Sequence, residues 1–510
     1  MINDVAKKII IVGGGTSGAV LAKNLSSKFH VTVLEQGNNR RLPSFYKIPL
    51  MIGLLFSRKN KFLDQVQIKF NNSRSIPFFE SKLLGGASVI NGCVHVIGSR
   101  IKWAELLHRF RLKQNDLDDS YADLYSKIGK AGAISLSEAK ERFIDRIFFN
   151  ALTAHGVSRG DVEWADSPAF GLICNTVGRI FRSSVMSLAP FRKCDVRVGF
   201  KVECLVVDND SKVIGVSDGN EIFLADLVVL SAGVLGTNSL LQKNAMRLAD
   251  KSYVDLGVDA GTGIKDHTNL RVNIESSVAI DSLNEINSSF LRKSVLFLKH
   301  LLGFKTLMRG TGATSTAHLD LDGDGEVDTR INLLNFSETG RMGSDGNLFS
   351  SSAPGFSISI TNINPKSQGV LILDGGRFQL NPNYFSNELD LDHLRKSLDF
   401  VINLLESQSF ACVVKKINQL ELIKNEPDKY IFNNTFSGYH LIGGCAHLID
   451  QDFKISRLGE LYVCDASILA DYTSSNIHST VALLADMLAR KLNKNWGSPA
   501  IYTEHADLSC

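Results

Sequence analysis

From Lys8 to Val12 the chain is an unbroken β-branched run, the pattern of a strand buried on both faces. Glycines follow, then an amphipathic stretch from Ala19 to Leu25, then Val31-Thr32-Val33-Leu34. Strand, turn, helix and strand in that order predict a βαβ unit. No second such unit follows directly, and Leu84 to Gly98 is instead rich in glycine and small residues. Between Asp195 and Ala232, β runs recur at Val202 to Asp208, Val213 to Ser217 and Leu227 to Leu230. Asp208-Asn209-Asp210 and Asp218-Gly219-Asn220 punctuate them as turns. From about Leu270 to Phe436 strands alternate with longer helical patterns. Leu461-Tyr462-Val463-Cys464 reads as another buried strand, and the helix after it carries Val481, Leu484, Ala485 and Leu488 on one face. The pattern predicts an α/β protein, α+β overall, with one nucleotide-binding domain assembled from distant pieces and a second domain inserted between them.

Composition narrows this picture. At 510 residues the chain holds roughly three domain equivalents. Its 44% hydrophobic and 21% charged residues are those of an ordinary globular protein. Lys+Arg 56 against Asp+Glu 53 leaves no basic excess, which argues against nucleic acid as a partner. No leader pattern opens the chain and no run of 18 apolar residues occurs, so neither a signal peptide nor a transmembrane segment is expected. Ile48 to Phe56 is too short to span a membrane and reads as a buried segment. The eight cysteines form no C-x-x-C pair, so no zinc or dithiol site is expected. Reduced thiols in a cytoplasmic protein are the default expectation.

Gly13-Gly14-Gly15-Thr16-Ser17-Gly18 satisfies G-x-G-x-x-G after a strand and before a helix. Gly13 permits the tight turn, Gly15 lets a pyrophosphate approach the backbone, and Gly18 lets helix pack on strand. Free N–H groups and the dipole at the helix start favour the anion. Glu35 lies 35 − 13 = 22 residues past Gly13, where a carboxylate holds ribose hydroxyls and disfavours a 2′-phosphate. Asp320, Asp322, Asp324 and Asp328 are spaced like the oxygens of a calcium loop, with Gly325 at position 6. Position 12 is Ile331 rather than glutamate, and a solvated acidic turn explains the segment equally well.

Further blocks resemble, in order, the signatures of the glucose–methanol–choline (GMC) oxidoreductases. Lys82 to Gly92, with Gly85-Gly86-Ala87-Ser88 and Asn91, resembles the first signature. Ser231 to Thr237 with Leu240-Leu241 resembles the second, in its cholesterol-oxidase-like form. Gly261 to His267, Pro365 to Gly369 and Asn381 to Tyr384 resemble internal blocks. Tyr439-His440-Leu441-Ile442-Gly443-Gly444-Cys445 resembles the catalytic-histidine block, and Leu461 through Asn476 the terminal one. Ser81, Ala87, His95 and Gly263 depart from the usual residues, and Ile90 stands where some members attach the flavin through histidine.

The resemblance implies a Rossmann-type domain holding non-covalent FAD, from 6–100, 183–270 and 437–495. It implies a substrate domain with an antiparallel sheet and helices from 101–182 and 271–436. Gly13, Gly15, Thr16, Ser17, Gly18, Glu35, Gly85, Gly86, Ser88, Asn91, Val202, Ala232, Asp465, Ala466, Asn476 and Ile477 become expected cofactor contacts. His440 becomes the expected base and Asn476 the second polar group, with His478 as its rival. The activity implied is oxidation of a small-molecule alcohol by hydride transfer to flavin N5, with oxygen or another carrier as final acceptor. A hydroxynitrile-lyase-like activity and a non-redox FAD-binding relative are the alternatives on the same fold. Leu291 to Leu302, with Phe297 and Leu301, suggests an apolar lid and a hydrophobic substrate, and core packing explains it equally well.

Overall fold

The computed structural model describes residues 6–38, 41–56, 61–70, 74–127, 129–338, 353–374 and 377–496. The β-branched run becomes Lys8–Val12, the middle strand of a five-stranded parallel sheet. His30–Glu35 and then Asp195–Val198 lie on one side of it, Leu227–Leu230 and then Leu461–Val463 on the other. Pieces far apart in sequence thus form one layer. Helices Thr16–Leu25 and Ile477–Trp496 pack on each other beside it, and Val20, Leu21, Leu483 and Leu484 are buried there. Glycine makes the strand-to-helix turn possible. Gly13 has φ +100°, and a Cβ on Gly18 would lie 1.9 Å from the Gly13 carbonyl oxygen.

A second, mainly antiparallel sheet of eight strands is built almost wholly from the middle of the chain. Its centre runs in the order Thr268–Ser276, Gly355–Asn362, Thr329–Leu334, Ala313–Leu319 and Ala169–Leu172. One face carries Leu270, Val272, Ile331, Leu333, Ile358 and Ile360, all buried against helices Phe143–Ala154 and Glu388–Glu406. The other face carries the cross-strand row His318, Arg330, Thr361 and Asn269. The next row along is Thr316, Asn332, Ser359 and Arg271. The α/β expectation is met in this architecture of a parallel sheet with helices beside an antiparallel sheet with helices.

Leu291 to Leu302 is not core. It forms most of the helix Phe290–Leu301, in which only His300 is buried. Leu291 is 71% and Leu298 58% exposed. The helix is held at its C-terminal end, where His300 Nε2 bonds the Ile180 carbonyl at 2.9 Å and Arg179 Nη2 donates to the Leu302 carbonyl at 3.2 Å. Pro49, Ile52 and Leu55 of the other apolar stretch are buried, as its sequence suggests. Among the described residues no helix is long and apolar enough to cross a membrane, and the seven described cysteines form no disulfide.

Candidate active site

The glycine turn ends one side of the site. Glu35 reaches back from its strand end, and its two carboxylate oxygens accept from Gly14 N and Gly37 N, each at 2.7 Å. Burial holds its pKa above the usual carboxylate value against those two hydrogen bonds. The second glycine loop meets the first: Gly85 N donates to the Gly14 carbonyl at 2.8 Å. A Cβ on Gly86 would lie 2.8 Å from Gly15 Cα. Ser88 Oγ closes its own turn on the Gly85 carbonyl at 2.6 Å. In front of Gly15 the surface is open, because a Cβ there would meet nothing nearer than 3.9 Å. No side chain caps the helix that starts at Thr16, with buried Ser17 and Gly18 in its first turn. An uncapped helix start faced by an open glycine surface fits a diphosphate.

Asp465 follows the strand Leu461–Val463 and faces the helix Gly233–Leu241, whose N-cap is Ala232. Its Oδ2 accepts from Gly233 N at 2.9 Å and Thr237 Oγ1 at 2.6 Å, and its Oδ1 from Ser467 N at 2.9 Å. The carboxylate therefore ties two segments of the parallel-sheet layer together, with Ala466 buried beside it. Val202 lies half-buried just before the strand Cys204–Val207. Asn91 is fixed by Arg182, whose Nη1 donates to its carbonyl at 3.0 Å and its side-chain oxygen at 3.3 Å.

The second part of the site sits where the 437–445 and 472–478 segments cross the polar face of the antiparallel sheet. His440 and His267 meet through their Nδ1 atoms at 3.0 Å, and His267 Nε2 lies 3.1 Å from the Ile363 carbonyl. A carbonyl only accepts, so His267 Nε2 carries the hydrogen. Burial pushes the pKa of both rings far down, His440 to about 3 with the Arg330 guanidinium as the lesser cause. Both are then neutral, so His267 Nδ1 accepts and His440 Nδ1–H donates. His440 Nε2 is left with its lone pair, the form a base needs.

Backbone and ring contacts fix this pair. His440 N donates to Asp266 Oδ1 at 2.9 Å, and Tyr472 Oη donates to the His440 carbonyl at 2.9 Å. The Tyr472 ring packs on His267 with centroids 3.8 Å apart. Asp266 also accepts from Tyr384 and Ser437, and burial raises its pKa to about 6. Cys93, Tyr439 and Ser474 are non-glycine residues at φ 62°, 61° and 56°. One left-handed residue thus bends each of the three segments beside Asn91, His440 and Asn476, at a cost of about 1–3 kcal/mol each.

Asn476 and His478 flank the start of the helix Ile477–Trp496. Asn476 Oδ1 accepts from Arg330 Nη2 at 2.6 Å, and its Nδ2 donates to the Val94 carbonyl at 3.3 Å. One Nδ2 hydrogen remains. His478 Nε2 is buried without a partner, and burial lowers its pKa to about 4. The structure thus brings His440, Asn476 and the polar sheet face together, with His267, Asp266 and Arg330 added to them. His267 and Asp266 stood inside a quoted motif whose spacing says nothing of their contact with His440. Arg330 had no local signal, since a lone arginine in a strand reads as a solvated side chain.

Asp320, Asp322 and Asp328 bring carboxylate oxygens within 4.8 Å of one another, without Asp324. Asp320 accepts from Gly323 N at 2.7 Å and Gly325 N at 2.9 Å.

The chain is similar to several known proteins. A C-terminal family model described as GMC oxidoreductase matches residues 365–485. A glucose dehydrogenase [FAD, quinone] of Drosophila melanogaster is 23% identical over 96% of this chain and 87% of its own length. An oxygen-dependent choline dehydrogenase of Staphylococcus xylosus is 24% identical over 94% and 93%. Among solved structures, pyridoxine 4-oxidase from Mesorbium loti shares the fold at TM-score 0.79 and 17% identity, covering 96% of this chain and 99% of that one. Formate oxidase does so at TM-score 0.81 and 16% identity, over 96% and 99%. The C-terminal block thus matches the GMC oxidoreductase model, and dehydrogenases and oxidases align along nearly the whole chain.

Proposed function

We propose that the protein is an FAD-dependent oxidoreductase that takes hydride from a CH–OH donor, with His440 as the base. The observation that carries this is the neutral His267–His440 pair, which leaves His440 Nε2 free as an acceptor. The open, uncapped Gly15–Thr16 turn supports a dinucleotide held non-covalently, since Ile90 offers no histidine for a flavin link. Glu35, Gly85, Gly86, Ser88 and Asn91 line the loops nearest that turn, and 6–100, 183–270 and 437–495 would form the cofactor domain. Asp465 and Ala466 act at one remove, by fixing the Gly233–Leu241 helix.

FAD, when bound, supplies a two-electron acceptor for the hydride. His440 takes the hydroxyl proton as that hydride leaves, a role worth roughly 10²–10⁴-fold in rate. The spare Nδ2 hydrogen of Asn476 steadies the substrate oxygen, with His478 behind it. Dehydrogenase and oxidase relatives support redox turnover over the lyase reading.

The test is direct. Acid precipitation should release yellow flavin into the supernatant, and anaerobic alcohol should bleach the flavin band. Retained colour in the pellet would overturn the non-covalent reading, and no bleaching by any alcohol would favour the lyase.

A further inference from the structure

The sheet that backs the site contains two arginines one row apart, Arg271 half-buried and Arg330 buried, and they are treated differently. Arg271 Nη1 is paired with Glu338 Oε1 at 2.5 Å. Arg330 is 3% exposed, and among the described residues no carboxylate lies within ion-pair distance. Its one hydrogen bond goes to the neutral amide oxygen of Asn476, while Nε and Nη1 have no partner. Guanidinium stays charged in proteins, so this is a buried cation without a counter-charge. Evolution rarely keeps such a group unless something negative visits it.

What visits is constrained by geometry. The unpartnered Nε and Nη1 are charged donors of the kind that a carboxylate or phosphate accepts. Arg330 bonds Asn476 at 2.6 Å, and its charge also lowers the His440 pKa, so the guanidinium stands at the reacting end of the site. Two residues along the same strand and on the same face, Asn332 Oδ1 is a buried acceptor without a donor. A hydroxyl satisfies it. His318 and Thr361 flank Arg330 in its cross-strand row, and both are buried and polar. No apolar side chain adjoins Arg330 in this row, and Ala169 and Phe436 stand only at its two ends.

We propose that Arg330 anchors the oxyanion of the substrate, so that the enzyme acts on a hydroxylated acid, carboxylate or phosphate ester, rather than on an apolar alcohol. This rests on the reading of His440 as the reacting base. It is an alternative to the hydrophobic substrate suggested by Leu291 to Leu302, most of which are exposed.

The test uses purified full-length protein with its flavin, titrated with sodium acetate, inorganic phosphate or neutral acetamide at fixed ionic strength. Binding is read from the visible flavin band and from the melting temperature. Acetate, phosphate or both should bind saturably below about 0.1 M, acetamide should not, and Arg330→Met should weaken the anion about tenfold or more. Arg330→Lys should recover part of the loss, since charge remains but the paired donors do not. Binding of acetate alone assigns a carboxylate, and of phosphate alone a phosphate ester. No saturable anion effect in the wild type, or equal binding by Arg330→Met, would overturn the proposal. If the protein carries no flavin, the redox reading fails, and the melting-temperature titration still decides the role of Arg330.

Discussion

The two faces of the antiparallel sheet share strands and differ in what they bury. On one, Ile331, Leu333, Ile358 and Ile360 interdigitate with Leu394, Leu398 and Val401 of the Glu388–Glu406 helix. Burial of this kind stabilises by about 25 cal/mol per Å² and asks for no partner groups. On the other, Arg330, Asn332, Thr361 and Asn269 are enclosed at positions alternating with those same residues. Enclosing polar groups costs stability unless each finds a partner, and here Arg330 and Asn332 keep unpaired atoms. The apolar face holds the domain together, and the polar face is held in an unfavourable state by it. Such a conflict between local rule and global fold is where a functional site is expected.

The largest way to break the comparison is at the residue that rests on the polar face. His440→Ala should slow flavin reduction by about 10²–10⁴-fold while FAD stays bound. Asn476→Ala should slow it less, and His478→Ala least. Stopped-flow reduction of the three variants ranks them. Near-normal reduction in His440→Ala would sink the assignment, and a larger loss in His478→Ala than in Asn476→Ala would move the second role to His478. His267→Phe removes the acceptor for His440 Nδ1–H and keeps the ring stack on Tyr472. It should cost up to about 10²-fold through misorientation, with binding of FAD unchanged.

A matched pair of substitutions separates the faces themselves. Ile358→Ala opens a void in a fully buried position and should cost about 2–5 kcal/mol of stability, with the reduction rate of the folded protein unaltered. Thr361→Val keeps the shape and removes one acceptor from Asn269 Nδ2. It should cost about 1 kcal/mol and still change the substrate KM. Denaturant titration and steady-state kinetics on both check this, and a KM change confined to Ile358→Ala would reverse the argument.

Acidity offers a finer probe. A base works when unprotonated, and an ordinary histidine loses that form below pH 6.5. Burial and then Arg330 hold the His440 pKa at about 3, so its lone pair persists well below that pH. The groups around it are Arg330, His267, Asp266 and Tyr472. Of these, Asp266 titrates at about 6 and bonds His440 through the backbone. Flavin reduction should therefore show no full loss between pH 7 and about 5, and at most the partial change that Asp266 causes. A full acid limb centred at 6.5 would mean that His440 titrates as an exposed ring.

Much of the parallel-sheet layer, by contrast, was legible in the chain. The Lys8–Val12 run, the Gly13–Gly18 turn and Glu35 are local, so periodicity and spacing reveal them. The polar face was not legible, because Arg330, Thr361 and Asn269 meet only through the register of strands far apart in sequence. The exposure of Leu291 and Leu298 was hidden for the opposite reason. Their helical pattern is that of a core helix, and only tertiary contacts tell which side is covered. The partners of Asp465 were hidden likewise, since its spacing says nothing of Gly233 and Thr237.

The smallest expected effect concerns the turn that joins the two strands bearing His318 and Arg330. Asp320, Asp322 and Asp328 converge there, and Asp328 Oδ2 is buried without a hydrogen-bond partner. Asp328 N donates to the Leu319 carbonyl, so the turn closes the hairpin at its base. Ile331 occupies the place of the bidentate glutamate, which removes two oxygens from any ion and leaves a weak site. An ion that binds only the folded chain stabilises it by RT ln(1 + [L]/Kd), about 2.7 kcal/mol when calcium is in hundredfold excess over Kd. Millimolar calcium should therefore raise the melting temperature by a few degrees, chelation should reverse it, and Asp322→Asn should abolish the rise. The flavin reduction rate should not change, because the turn stiffens the edge of the sheet without touching His440. A melting temperature indifferent to calcium, with no calcium found by elemental analysis, would leave the segment as a solvated acidic turn held by its own hydrogen bonds, those of Gly323 and Gly325 among them.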